Sequence, residues 1–245
     1  MPVLAAKGPV LVHFFDYSQL NSVRTLPYLN AWNDRYGPLG LRVLGVQAPR
    51  FEFGADPADA ERGLARLGVD FPVLIDDRKL LWSNYGCEGW PSLFLWGRGG
   101  ILRWFHFGEG DYQGTEEAIQ GALKAAFEEL PEMPRFMDPV RPTDAAGVEV
   151  IPPGQELVPF EGRAWTIDDG QAFDVEYEGG GVYATAEGSG RLLVTLDGKP
   201  HAEIEINGPG LYTLAEHSRH GAHRVGLELE GDPAIWSVSF APALA

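Results

Sequence analysis

Helical periodicity stops near residue 130 and does not return, and this single change limits the chain to two unlike halves. Before it, apolar runs of strand length alternate with stretches whose apolar residues recur every three or four positions. After it, only short alternating runs remain, separated by turns rich in Gly, Asp and Pro. A βα-alternating half joined to an all-strand half predicts an α/β domain followed by an all-β sandwich or jelly roll.

In the front half, Val10–Phe15 (VLVHFF) and Leu41–Val46 (LRVLGV) read as buried strands. Between them a helix is expected over Ser22–Tyr36, with Leu26, Leu29 and Trp32 on one face and Pro27 predicting a kink. Asp56–Gly68 carries an Asp N-cap, a Pro at the first helical position and a closing Gly, a full set of helix boundary signals. Phe71–Ile75 reads as a strand and Arg78–Tyr85 as a brief helix. Ser92–Trp96 and Ile101–Phe107 read as a hairpin turned by Gly97-Arg98-Gly99-Gly100, and Thr115–Glu129 as an amphipathic helix. The expected order is β-α-β-α-β-α-β-β-α.

The stretch 131–155 is proline-rich and aperiodic, and reads as a linker laid along a domain surface, with Val148–Ile151 able to pair at an edge. The expected domains are therefore 1–130 and 156–245. In the second, eight strands are expected: Trp165–Asp168, Ala172–Tyr177, Val182–Ala186, Arg191–Leu196, Ala202–Ile206, Leu211–Leu214, Arg224–Leu229 and Ile235–Phe240.

The net charge of −16 is unevenly spread. Residues 1–135 hold 17 acids and 13 bases, a balance of −4; residues 136–245 hold 18 acids and 6 bases, a balance of −12. Such a surface repels polyanions, so nucleic acid and anionic membrane are poor candidate partners, and no nucleic acid is expected. No apolar run reaches the ~20 residues that span a bilayer. The opening residues show no ordered signal peptide, so the sequence as it stands reads as cytoplasmic, or as exported if a leader has been removed. A single cysteine, Cys87, rules out an internal disulfide, a Cys-rich zinc site and an iron–sulfur cluster.

Two local features carry chemistry. The strand ending HFF runs through a short loop into a helix with a proline in its second turn, and Gly89-Trp90-Pro91-Ser92 sets a proline directly before an internal strand. On these features, and on the stretches LVHFFDYSQLNSVRTLPYLNAW, LRVLGVQAPRFEF and HFGEGDYQGTEEAI, residues 9–129 resemble a thioredoxin-like domain of the TlpA/peroxiredoxin-related kind. The resemblance is to the soluble region of DipZ-type thiol–disulfide proteins. It implies a cis bond before Pro91, and a following β-sandwich similar to a carbohydrate-binding module, which LLVTLDGKP and AIWSVSF fit.

The departures from that family bear on activity. Its Cys-x-x-Cys loop opens the first long helix, whose N-terminus stabilises a thiolate; here those positions are Gln19 and Ser22, with Pro27 fixing the register. The strand position of its buried acid is His13, expected to be an interior histidine. The resemblance thus implies a scaffold without the dithiol, with Gln19, Ser22, Trp90 and Pro91, and His13 beneath, forming a groove for a peptide or protein ligand. No cofactor and no metal are implied.

Two other function classes stay open. Cys87, four residues before Pro91 and so expected near the rim of Gln19, would be the catalytic group of a single-thiol oxidoreductase or peroxidase, although Glu88 beside it disfavours a thiolate. A structural or assembly subunit would self-associate through sandwich edges; the sequence leaves the oligomeric state open. In the back half, Trp165, Tyr183, Tyr212 and Trp236 are the aromatics available to carbohydrate. Asp168, Asp169 and Asp174 are too sparse for a calcium loop, and His217, His220 and His223 read as surface histidines in a turn.

Overall fold

The computed structural model describes residues 4–159, 162–166 and 173–245. The chain divides into two compact units, Met1–Val140 and Arg141–Ala245. The division falls inside the stretch expected to be linker. Residues 134–140 belong to the first unit because its side chains bind their backbone: Gln120 donates to Pro134 O (2.9 Å), Val140 N donates to Tyr28 OH (2.9 Å), and Met137 N donates to the Glu116 carboxylate (3.1 Å).

Unit 1 is built on five strands: β1 (Val10–Phe15), β2 (Arg42–Gln47), β3 (Val73–Ile75), β4 (Ser92–Gly97) and β5 (Ile101–Phe107). They lie in the order β3-β2-β1-β4-β5, with β1–β2 and β2–β3 parallel and the rest antiparallel. The helices are α1 (Leu20–Tyr36), α2 (Pro57–Arg66), α3 (Leu80–Asn84) and α4 (Tyr112–Ala126). Asp56 caps α2 as expected, its carboxylate accepting from Ala58 N (2.8 Å) and Asp59 N (3.2 Å). α1 buries Leu26, Leu29 and Trp32, and continues through Pro27, which lies on its exposed side.

β1 is buried along its whole length, and alternation divides its side chains between two faces. Val10, Val12 and Phe14 join Val46, Phe94, Ala5 and Cys87 on one face, with Trp82, Tyr85 and Trp96 packed against them. Leu11, His13 and Phe15 point to the other.

Unit 2 is all-β, with β6 (Val150–Ile151), β7 (Phe173–Leu196), β8 (Lys199–Asn207), β9 (Gly210–Ala241) and β10 (Ala243–Leu244). The short strands expected from the sequence merge here. β7 pairs through residues 173–179 with 221–227, through 181–186 with both 210–216 and 235–241, and through 187–196 with 225–234. β7 and β9 thus each pass from one layer of a sandwich to the other. The glycine clusters read as loops are corners that the strand rounds: at Gly188 φ is +87°, and a Cβ there would lie 2.2 Å from Asp232 O. Leu157 and Trp165 add isolated bridges to Val238 and Ile235. Asp168, Asp169 and Ala172 lie outside the described residues.

Candidate binding groove at the start of α1

The register Phe14–Ser92 between β1 and β4 sets Pro91 at the same end of the sheet as the loop that leaves β1. The pairing Phe15–Gln47 brings Ala48 and the chain after β2 to that end as well. Three segments therefore meet there: 16–19, 48–50 and 89–91. The Trp90–Pro91 bond is cis. Trp90 is held across the gap by its indole N–H, which donates to Ala48 O (2.8 Å), and its ring stacks on Trp82 (5.2 Å) with Lys79 Nζ above it (5.7 Å).

The two positions that carry sulfur in Cys-x-x-Cys loops bond to backbone here. Gln19 is the N-cap of α1, and its Oε1 accepts from Ser22 N (2.7 Å). Ser22 is fully buried, and its Oγ accepts from Asp16 N (3.2 Å). An amide oxygen thus occupies the place at the helix N-terminus where a thiolate would take up the free donors.

Asp16 organises the loop from below. Its carboxylate accepts from Ser18 N (2.7 Å), Ser18 Oγ (2.6 Å) and Arg50 N. Burial raises its pKa above the ordinary carboxylate value, and these hydrogen bonds and the Arg50 charge oppose the rise. The sequence singled out neither the Asp16–Arg50 link nor the Ala48 wall. Both join residues more than 30 apart, for which local spacing holds no signal.

His13 does not line the groove. It is fully buried on the face of β1 shared with Phe15, on whose ring it stacks (4.9 Å, 2° between planes). Neither ring nitrogen has a hydrogen-bond partner in the structure, and burial lowers its pKa to about 3. It is an interior histidine, as the strand pattern implied, but a neutral one without polar partners.

Cys87 is not on the rim of Gln19 either. It is 4% exposed among Val10, Val12, Phe14 and Phe94, on the face of β1 opposite His13. Gly86, at φ +69°, turns the chain inward after α3, and Cys87 N donates to Trp82 O (3.1 Å). Burial pushes the thiol up to about 11; the Asp76 charge adds to the rise and a bond to Ser92 opposes it. Alkylation of the folded protein at pH 7.5 is therefore expected to run at least about 100-fold slower than for a free thiol of pKa ~8.5. Equal rates in native and urea-unfolded protein would contradict this placement.

In unit 2, the four aromatics considered for sugar contact are tied into the fold. Tyr183 is buried and donates to Glu216 (2.7 Å); Tyr212 donates to Gly208 O (2.5 Å); Trp236 donates to Glu187 (2.7 Å); Trp165 packs on Phe173 (5.2 Å). Among the described residues, no group of three or more His, Cys, Asp or Glu side chains is placed to hold a metal ion. Among the same residues, no helix is long and apolar enough to cross a membrane.

No family model matches the chain. It is 30% identical to protein DipZ of Mycobacterium tuberculosis over 236 residues, a match covering 82% of this chain and 34% of that protein. This is a thioredoxin-like protein related to DipZ. The share matched exceeds unit 1, so the similarity to DipZ extends into unit 2. The chain spans about a third of DipZ's length. It is also 26% identical to the thiol-disulfide oxidoreductase YkuV of Bacillus subtilis over 120 residues, covering 49% of this chain and 80% of YkuV. A solved thiol-disulfide isomerase from Corynebacterium glutamicum aligns with a TM-score of 0.46 at 20% identity, over 49% of this chain and 84% of its own.

Proposed function

We propose that unit 1 is a redox-silent thioredoxin-like module that binds an extended peptide segment of a partner protein beside Pro91. The observation that carries this reading is the hydrogen bond from Ser22 N to Gln19 Oε1: the helix N-terminus is closed by an amide, while the walls around it, Trp90 and Pro91, are kept. Dithiol–disulfide exchange needs two sulfurs within one loop, and the only cysteine is in the core on the far face of β1. Main-chain pairing with an extended peptide has no need of sulfur. The partially exposed Trp90 supplies an aromatic anchor of the type that dominates such contacts.

The test is selection of peptides from a displayed library on the full chain, followed by Kd measurement for Trp90→Ala. Loss of the indole and of its bond to Ala48 should weaken selected peptides about 10-fold or more, the effect of an anchor worth over ~1.4 kcal/mol. Peptides that bind Trp90→Ala and Gln19→Ala as tightly as the parent would remove the groove from consideration.

A further inference from the structure

One end of unit 2 holds a polar chain that runs from the core to the surface across its two long strands. Tyr177 of β7 is 5% exposed and stacks on Phe240 (4.9 Å, 12°). Its hydroxyl bonds to His217 Nε2 (2.8 Å). His217 and His223 of β9 stack face to face, with ring centroids 3.8 Å apart and 14° between planes. His223 Nδ1 in turn bonds to Asp197 Oδ2 (3.0 Å) in the turn between β7 and β8. Tyr177, His223, Asp197, Phe240, Leu157 and Gln155 line a cleft of about 740 Å³.

The segment bearing His217 is an irregularity in the ladder. β7 and β9 pair at Gly181–Glu216 and again at Gly179–Gly221, with a shift of register between, so residues 217–220 bulge out of the pairing. Two contacts of the His217 ring hold the near end of this bulge: the Tyr177 hydroxyl and the face of His223.

Proton placement decides whether those contacts persist. His223 Nδ1 is turned to the Asp197 carboxylate. A second proton would set two cations 3.8 Å apart, face to face. The ionisable groups bearing on His217 are His223 of its own strand, Asp197 of the turn and His201 of β8, of which only Asp197 favours a charged His217. Tyr177 is held neutral, its hydroxyl pushed up to about 12 by burial and by Asp197. The nearby Arg224 is engaged by Asp174 (2.6 and 2.9 Å).

We propose that the His217–His223 pair is an acid-sensitive latch: with at most one proton it holds the 217–220 bulge against the wall of the cleft, and entry of a second proton releases it. Desolvation and His223 lower the pKa of His217 below 6.5, so the latched form binds fewer protons than the released one. Latching is therefore complete above pH 6.5 and is lost as the pH falls below it. Asp197, whose own pKa is depressed below 3.8, stays ionised through this range.

Amide hydrogen exchange on the full chain tests this. Corrected for the intrinsic pH dependence of exchange, protection of residues 215–224 should fall at least tenfold between pH 7.5 and 5, while β8 stays protected. His223→Gln removes the opposing charge and should flatten that dependence, whereas His220→Gln should leave it intact. Protection independent of pH, or an equal effect of His220→Gln, would overturn the latch. If His223→Gln does not fold, imidazole proton NMR of the parent chain decides: a His217 titration below 6.5 is expected, and a His217 titration at the ordinary value would refute it.

Discussion

A chain carrying Gln19→Cys and Ser22→Cys is expected to reduce insulin disulfides with a dithiol reductant, where the parent chain gives only background. Position 19 caps a 17-residue helix, and its side-chain oxygen already sits where it accepts from Ser22 N. A sulfur there would meet the same donors, and its pKa is expected near ~7, as for comparable Cys-x-x-Cys loops, so about half would be thiolate at neutral pH. Ser22, fully buried three residues on, supplies the resolving position. Cys87 should not intervene, since its thiol sits near 11 in the core. Adding His13→Asp should accelerate turnover further, because a ring with a pKa of about 3 is too weak a base to take up a thiol proton at neutral pH. A double variant that oxidises to the disulfide yet shows no turnover, its introduced N-terminal thiol titrating near the ~8.5 of a free cysteine, would show that the loop has lost more than its sulfurs.

Acid is expected to destabilise unit 1 strongly, and His13→Leu to remove most of that sensitivity. His13 has a pKa of about 3 when folded against 6.5 when exposed, so the unfolded chain takes up the proton first. Its contribution is intact above pH 6.5 and is lost as the pH falls towards 3, by about 4 kcal/mol between 6.5 and 3.5 at ~1.4 kcal/mol per unit. Asp16 works in the opposite sense: its folded pKa is raised, so protonation on acidification favours the folded state and offsets part of the loss. Leucine leaves no buried, unpartnered ring nitrogens, so stability at pH 7 should be equal or higher. Urea unfolding followed by tryptophan fluorescence from pH 7 to 4 measures both effects. Parallel pH profiles for the two proteins would mean that His13 is not buried neutral.

The parts of this molecule legible from sequence are those set by local spacing. Asp56-Pro57 marked the start of α2 and the glycines at 97–100 marked the β4–β5 turn. The strand-loop-helix pattern around Gln19 and the proline at 91 pointed to the place where segments 16–19 and 89–91 meet, though not to the third segment there, 48–50. What local spacing missed depends on the direction the chain takes in space. Cys87 is four residues from Pro91 along the chain, but Gly86 turns it into the core instead of towards the rim. Likewise, Gly-rich clusters in unit 2 have the composition of loops. A strand crossing between layers needs the same positive-φ residues, so composition alone does not separate a corner from a break.

Those corners have a kinetic consequence. The central stretch of β7, residues 181–186, is flanked on both sides by β9, and its partners lie 24 to 60 positions away along the chain, as in Ala186–Gly210 and Gly181–Ala241. Among the described residues, only the β7–β8 turn, closing at Leu196–Lys199, joins near neighbours. Unit 2 must therefore close long loops before most of its ladder can form, which places it among slow-folding topologies. Because one strand serves both layers, neither layer is complete without the other, and unit 2 should assemble and come apart in a single step.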